Sequence, residues 1–166
     1  MTTTALKREQ AEASDVAEAV GWMQQLNKNA SQLANEFELR GGTDITGYSL
    51  LGHAMEMAEA SQVALNFEFT NIPFISGARK YAEMGCFPGG AFDNKMHFES
   101  NVQFAAEIDE PDQMLLFDPQ TSGGLLLGVP HVKLDLFITR AKELDQSIWV
   151  IGEVRPGSGI QVTKRR

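Results

Sequence analysis

Apolar residues recur at three- and four-residue steps through Val16, Val20, Met23, Leu26, Ala30, Leu33 and Phe37, the stripe of one amphipathic helix with Ser14 as its candidate cap. Past a glycine turn, Leu50, Leu51, Ala54, Met57 and Ala58 mark a second helix, for which Thr46 is the expected N-cap. The period then changes. In "VALNFEF" the residues Val63, Leu65, Phe67 and Phe69 alternate with polar neighbours, which predicts a half-buried strand.

"SGARKYAEMG" (76–85) reads as a short helix stopped by Gly85, and the Gly-, Asn- and Phe-rich stretch 86–101 shows no period and reads mostly as loop. "NVQFA" (101–105) predicts a strand, and "EPDQMLLFD" (110–118) a helix begun by Pro111 in its first turn. "GGLLLGV" (123–129) is an apolar run with turn signals at both ends, a buried strand. Pro130 opens a helix with the stripe Leu134, Phe137, Ile138, Ala141 and Leu144. "SIWVIGEV" and "GIQVTK", joined by "RPGSG" (155–159), read as a closing hairpin. Interleaved helices and strands give an α/β (α+β layered) fold. The first dozen residues (1–12) read as an interdomain linker leading into a domain over 13–166.

Composition narrows the partners. Acids outnumber bases 22 to 14 for a net charge of −8, which argues against nucleic acid or an anionic membrane as the main partner. The basic end "KRR" (164–166) is too short to alter that. With one cysteine, Cys86, there is no internal disulfide and no cysteine-based metal cluster, which fits a cytoplasmic location.

Two stretches could carry chemistry. In "GGTDITGYSLLGH" (41–53), Asp44 sits in a Gly/Thr turn ahead of a helix. From there it can present its carboxylate to Mg²⁺, which favours one or two carboxylates plus phosphate oxygens, or simply cap the turn. In "FDPQTSGGLLLGV" (117–129), Thr121, Ser122, Gly123 and Gly124 can offer a concave set of N–H groups to a phosphate. Alternatively, the glycines only let the chain enter a crowded strand. No lysine follows them, so this is no Walker loop. His53, His97 and His131 lack zinc-ligand spacing, and no residue of the chain stands out as catalytic.

Taken together, "TDITGYSLLGH", "PGG…N" (88–94), "FDPQTSGGLL" and "IGEV" (151–154) resemble the C-terminal domain of the selenophosphate synthetase (selenide, water dikinase) family, in order and over almost the whole chain. "TTALKRE" (3–9) likewise resembles that family's interdomain connector. The family is grouped with aminoimidazole ribonucleotide synthetase and thiamine-monophosphate kinase. The resemblance implies a mixed sheet packed with helices that closes over an N-terminal ATP-binding domain absent from this chain. It implies an enzyme making selenophosphate from selenide, ATP and water, releasing AMP and phosphate, with the reactive Cys or selenocysteine, the essential Lys and most ATP contacts in that other domain.

By the same resemblance Asp44 is a magnesium-site residue. The full-length protein is expected to be a homodimer, while this chain alone is expected to be an inactive monomer. Cys86 stands where the family usually has an apolar residue. Two further departures stand out: Tyr48-Ser49 where the family usually has Phe-Gly, and Asp93 where it has a basic residue. The alternatives are a domain of a related purine- or thiamine-phosphate enzyme, and a non-enzymatic module that binds an anion or a partner.

Overall fold

A computed structural model describes residues 1–164; Arg165 and Arg166 of the basic end lie outside the described residues. In chain order, helices α1 (Thr2–Lys7), α2 (Ala13–Gln24) and α3 (Lys28–Glu36) precede strand β1 (Gly41–Asp44), helix α4 (Ser49–Ser61) and strand β2 (Ala64–Glu68). Helices α5 (Ala78–Glu83) and α6 (Gly89–Phe98), strand β3 (Val102–Phe104), helix α7 (Glu110–Leu115) and strand β4 (Leu125–Gly128) follow. Helix α8 (Leu134–Glu143) and strands β5 (Gly152–Arg155) and β6 (Ile160–Thr163) complete the order. Among the described residues no helix is long and apolar enough to cross a membrane.

Four strands form a mixed sheet in the order β3-β6-β2-β5. The alternation read in "VALNFEF" is realised: Leu65 and Phe67 of β2, with Phe69 beyond it, are buried against Leu51, Met55 and Ala58 of α4 and join Val102, Ile160 and Val162 in the main core. Burying a side chain of this size contributes about 1.5–3 kcal/mol. A separate antiparallel ribbon pairs β1 with β4, from Gly41 opposite Gly128 to Asp44 opposite Leu125. Under it α3 meets α8, where Phe37 and Phe137 pack edge to face at 5.1 Å beside Leu33 and Ala141.

Several expectations need correction. The stripe from Val16 to Phe37 is not one helix: it breaks between Gln24 and Lys28, where Asn27 turns its amide to the carbonyl of Gly123 and Leu26 is left 82% exposed. Ser14 is not the cap, since the helix begins at Ala13 with Glu12 before it. Residues 89–98 form α6 rather than loop, because its inward face is Ala91, Asn94 and Phe98, a helical spacing that apolarity alone hides. Strand β4 is half-buried, not buried: Leu126 packs on the main core and Leu127 on the α3–α8 cluster, but a two-stranded ribbon leaves one edge of the strand unpaired.

The closing hairpin is also absent. Strands β5 and β6 do not pair; β2 lies between them, antiparallel to β5 and parallel to β6. Their connection bridges the start of β2, with Gly157 (φ 129°) and Gly159 (φ 79°) in the left-handed region and the Gly159 carbonyl accepting from the Leu65 amide at 3.1 Å. Turn chemistry reverses the chain here, but two open edges of β2 take the strands.

The remaining short helices follow their sequence signals. Gly85 (φ 65°) ends α5 with a left-handed turn in which the Cys86 amide donates to the Tyr81 carbonyl and the Gly85 amide to that of Ala82. Asp109 caps α7 through the Asp112 amide at 2.9 Å, with Pro111 in the first turn. Pro130 leads first into a 3₁₀ turn (His131–Lys133) and then into α8. Residues 2–7, within the expected linker, are helical and dock on α5, with Ala5 buried against Tyr81 and Cys86.

Candidate phosphate-facing edge

The β1–β4 ribbon ends at Asp44 and Leu125, and the two motif loops continue side by side beyond it. The Ile45 amide donates to the Gly124 carbonyl at 2.9 Å and the Gln120 amide to the Thr46 carbonyl at 3.0 Å. A Cβ built on Gly123 would come within 2.0 Å of the Ile45 carbonyl oxygen, so only glycine allows this approach. The structure therefore brings Asp44 and the Thr121–Gly124 loop to one edge, joined backbone to backbone.

Asn94 of α6 fastens the pair from behind. Its buried amide donates to the carbonyls of Gly47 at 2.9 Å and Phe117 at 3.1 Å, one from each loop. Asn94 belongs to the "PGG…N" motif, but with its segment read as loop no local signal pointed to this task.

His53 holds the front of the first loop. Its Nε2 accepts from the Tyr48 amide at 3.3 Å and lies 3.1 Å from the Thr46 hydroxyl, which leaves Nδ1 to carry the proton and donate to Glu56 at 3.0 Å. Thr46 thus does not cap α4 with its side chain, as the sequence suggested; its carbonyl accepts from the Ser49 amide and its hydroxyl meets His53.

Asp44 itself is exposed and lines a depression of about 360 Å³ with Arg40, Gly42, Leu125 and Leu127. It is the one carboxylate among the residues lining that depression. A single acid with open space beside it suits Mg²⁺, which keeps waters and takes phosphate oxygens, and does not suit a closed all-protein cage. Among the described residues no group of three or more His, Cys, Asp or Glu is placed to hold a metal. Beside Asp44, the amides of Thr121, Ser122, Gly123 and Gly124 donate to no acceptor among the described residues, and all but Gly123 are exposed.

The family model described as AIR synthase related protein, C-terminal domain, matches residues 1–165. The chain belongs to that family. It is 42% identical over 153 residues to a selenide, water dikinase of Caldanaerobacter subterraneus subsp. tengcongensis, covering 92% of this chain and 44% of the relative. Against the selenide, water dikinase of Pseudomonas aeruginosa it is 38% identical over 162 residues, covering 96% of this chain and 46% of the relative. The chain thus spans a little under half the length of these curated relatives. Among solved structures, tt0281 from Thermus thermophilus superposes with a TM-score of 0.60 at 17% identity, over 97% of this chain and 44% of that one. Thiamine-monophosphate kinase from Stenotrophomonas maltophilia K279a does so with 0.51 at 16%, over 78% and 32%. Both support the fold alone.

Within this AIR synthase-related C-terminal domain the departures have definite places. Ser49 is fully buried yet holds φ 67°, a conformation that suits glycine, and its hydroxyl donates to the Tyr48 carbonyl. Asp93 is exposed on α6, next to the inward Asn94. Cys86 is buried beside Ala5 and Tyr81, with its thiol donating to the Gln10 side-chain oxygen at 3.4 Å.

Asp118, first polar residue of "FDPQTSGG", is only 8% exposed; in the 166-residue chain the Met1 ammonium lies 2.9 Å from it, a charge that a protein continuing upstream of Met1 lacks. Burial pushes its carboxyl above the ordinary carboxylate range, while the ammonium and Gln120 pull it down. The ion pair alone would lower it; at this exposure desolvation is the larger effect.

Proposed function

We propose that this chain is the C-terminal half of a selenide, water dikinase, whose whole protein makes selenophosphate from selenide, ATP and water with release of AMP and phosphate. The observation that carries the reading is the pairing of Asp44 with the unengaged Thr121–Gly124 amides on one edge. It is supported by relatives of that name at 42% and 38% identity.

In this reading the edge faces ATP phosphates held mainly by the protein's own N-terminal domain. Residues 1–12 lead in from that domain. Asp44 would hold Mg²⁺, which when bound neutralises negative charge on the phosphates. The free amides of Thr121 to Gly124 offer hydrogen bonds to phosphate oxygens. Gly123 keeps the loops in contact, Asn94 locks them, and His53 fixes the Tyr48 amide. None of these residues supplies a nucleophile or a proton, so the chain alone is inactive. The full-length protein is a cytoplasmic homodimer built chiefly by the other domain, which leaves this chain monomeric.

The test is Asp44→Asn in the full-length enzyme. At the end of β1 Asn keeps the size of Asp but lacks the charge. A ~100-fold drop in AMP formation, about 2.7 kcal/mol at the transition state, with an unchanged melting temperature is expected. Near-normal turnover in a well-folded variant leaves Asp44 as the last residue of β1 with no part in the reaction.

A further inference from the structure

We propose that Arg40 and Lys133 form a second anion subsite, continuous with the Asp44 depression, that takes a phosphate group of a polyphosphate ligand. The inference deepens the proposed function and rests on it for the identity of the ligand.

The chain carries a net charge of −8, and several of its cations have acidic partners. Arg79, Lys80, Lys95, Arg140, Arg155 and Lys164 each lie within ion-pair distance of a carboxylate. Arg40 makes no ion pair or side-chain hydrogen bond with any described residue. Lys133 gives one hydrogen bond, to the Phe37 carbonyl at 2.8 Å, and meets no carboxylate among the described residues. These two cations line one cleft of about 680 Å³, floored by Gly41, Gly128 and Pro130. Glu38 lines it too, and the three charges together leave it positive.

Position along the strand ties this cleft to Asp44. Exposure alternates from Arg40 through Gly42 to Asp44, with Gly41 and Thr43 half-buried between, so the three exposed residues share one side. At roughly 3.3 Å per residue, Arg40 and Asp44 stand about 13 Å apart along the backbone. Gly42 between them carries no side chain. Arg40 also lines the depression that holds Asp44, which makes the two spaces one groove with a carboxylate at one end and a guanidinium and an ammonium at the other. A guanidinium fork matches two phosphate oxygens and an ammonium adds a point charge. A phosphate held there leaves the next phosphate of the same ligand free to reach towards Asp44.

The experiment titrates the 166-residue chain with inorganic pyrophosphate, first without and then with Mg²⁺, followed by amide and guanidinium NMR. Without Mg²⁺, saturable shifts are expected at Arg40, Gly41, Gly128 and Lys133. Arg40→Gln, at an exposed position with no ion pair or side-chain hydrogen bond to lose among the described residues, is expected to weaken binding at least ~10-fold, with Arg40→Lys recovering part of it. Unchanged affinity in Arg40→Gln, absence of saturable binding, or shifts centred only on Thr121–Gly124 overturns the subsite. Asp44→Asn is expected to remove only the extra affinity that Mg²⁺ brings. If that increment is missing while Arg40-dependent binding stands, the subsite is supported and the magnesium reading of Asp44 fails.

Discussion

Gly123 touches Ile45 so closely that a Cβ on the glycine would lie 2.0 Å from the isoleucine carbonyl oxygen. The obstacle is backbone, which cannot swing aside as a side-chain tip can. Gly123→Ala therefore parts the two motif loops and breaks the Ile45–Gly124 hydrogen bond beside the clash. Overpacking of this kind costs roughly 1–3 kcal/mol. The expected result is a melting temperature lower by several degrees, with amide shifts concentrated at residues 44–47 and 120–124. A variant that melts like the wild type and keeps those shifts would refute the contact.

Asn94 tests the same junction from the other side. Asn94→Ala leaves the Gly47 and Phe117 carbonyls without their donor, the second of them in a buried bond. Each unsatisfied buried group costs about 1–3 kcal/mol, so a loss of roughly 2–4 kcal/mol in urea unfolding is expected. Asn94→Asp, which offers acceptors where donors are needed, should be at least as damaging; equal stability of Asp and Asn at this position would contradict the assigned bonds.

Ser49 offers a gain. A buried non-glycine residue at φ 67° carries about 1–3 kcal/mol of backbone strain. Ser49→Gly removes the strain together with one hydroxyl bond to Tyr48, which offsets part of the gain. A net stabilisation of about 1 kcal/mol is expected, read as a higher midpoint in denaturant with an unchanged slope. A lower midpoint would mean that the hydroxyl matters more than the strain.

Asp118 sets a pH dependence. Its folded-state carboxyl titrates above its unfolded value of about 3.9, so the native state binds the proton more tightly. The stabilisation from that proton is complete below the unfolded value and is lost as pH rises through the folded one. Asp118→Asn has no such proton to bind. The stability of wild type relative to Asp118→Asn should therefore improve as pH falls from 7 towards 4. A flat or opposite trend in paired denaturation curves would show that the Met1 ammonium outweighs burial.

The sequence was readable where one face of an element is purely apolar. Leu65, Phe67 and Phe69 announced β2, and Phe137 with Ala141 announced α8. It was misleading where a polar residue faces inward or an apolar one outward. Helix α6 buries Asn94 and exposes Met96, so its period vanished, and Leu26 continued a stripe that the chain had already left. Asp44 and the glycine loop were legible as motifs, but their adjacency was not, since it depends on the pairing of β1 with β4. Arg40 and His53 stood out less, because their roles rest on neighbours brought in by folding. The "RPGSG" turn was recognised as a reversal, yet nothing local says that β2 will occupy the space between its arms.

That placement of β2 has a consequence for how the chain is made. Strand β6 is the last strand in the described chain and an interior one in the sheet, where it bridges β3 and β2. Leu65 and Phe67 leave the ribosome long before Ile160 and Val162, the residues aligned with them. Until those emerge, β2 and β3 have no common neighbour, and an apolar strand waits with an open edge. Such distant pairing slows folding and favours association between unfinished chains. A nascent chain paused within residues 145–160 is thus the species most in need of a chaperone, and β6 serves as the keystone between β3 and β2.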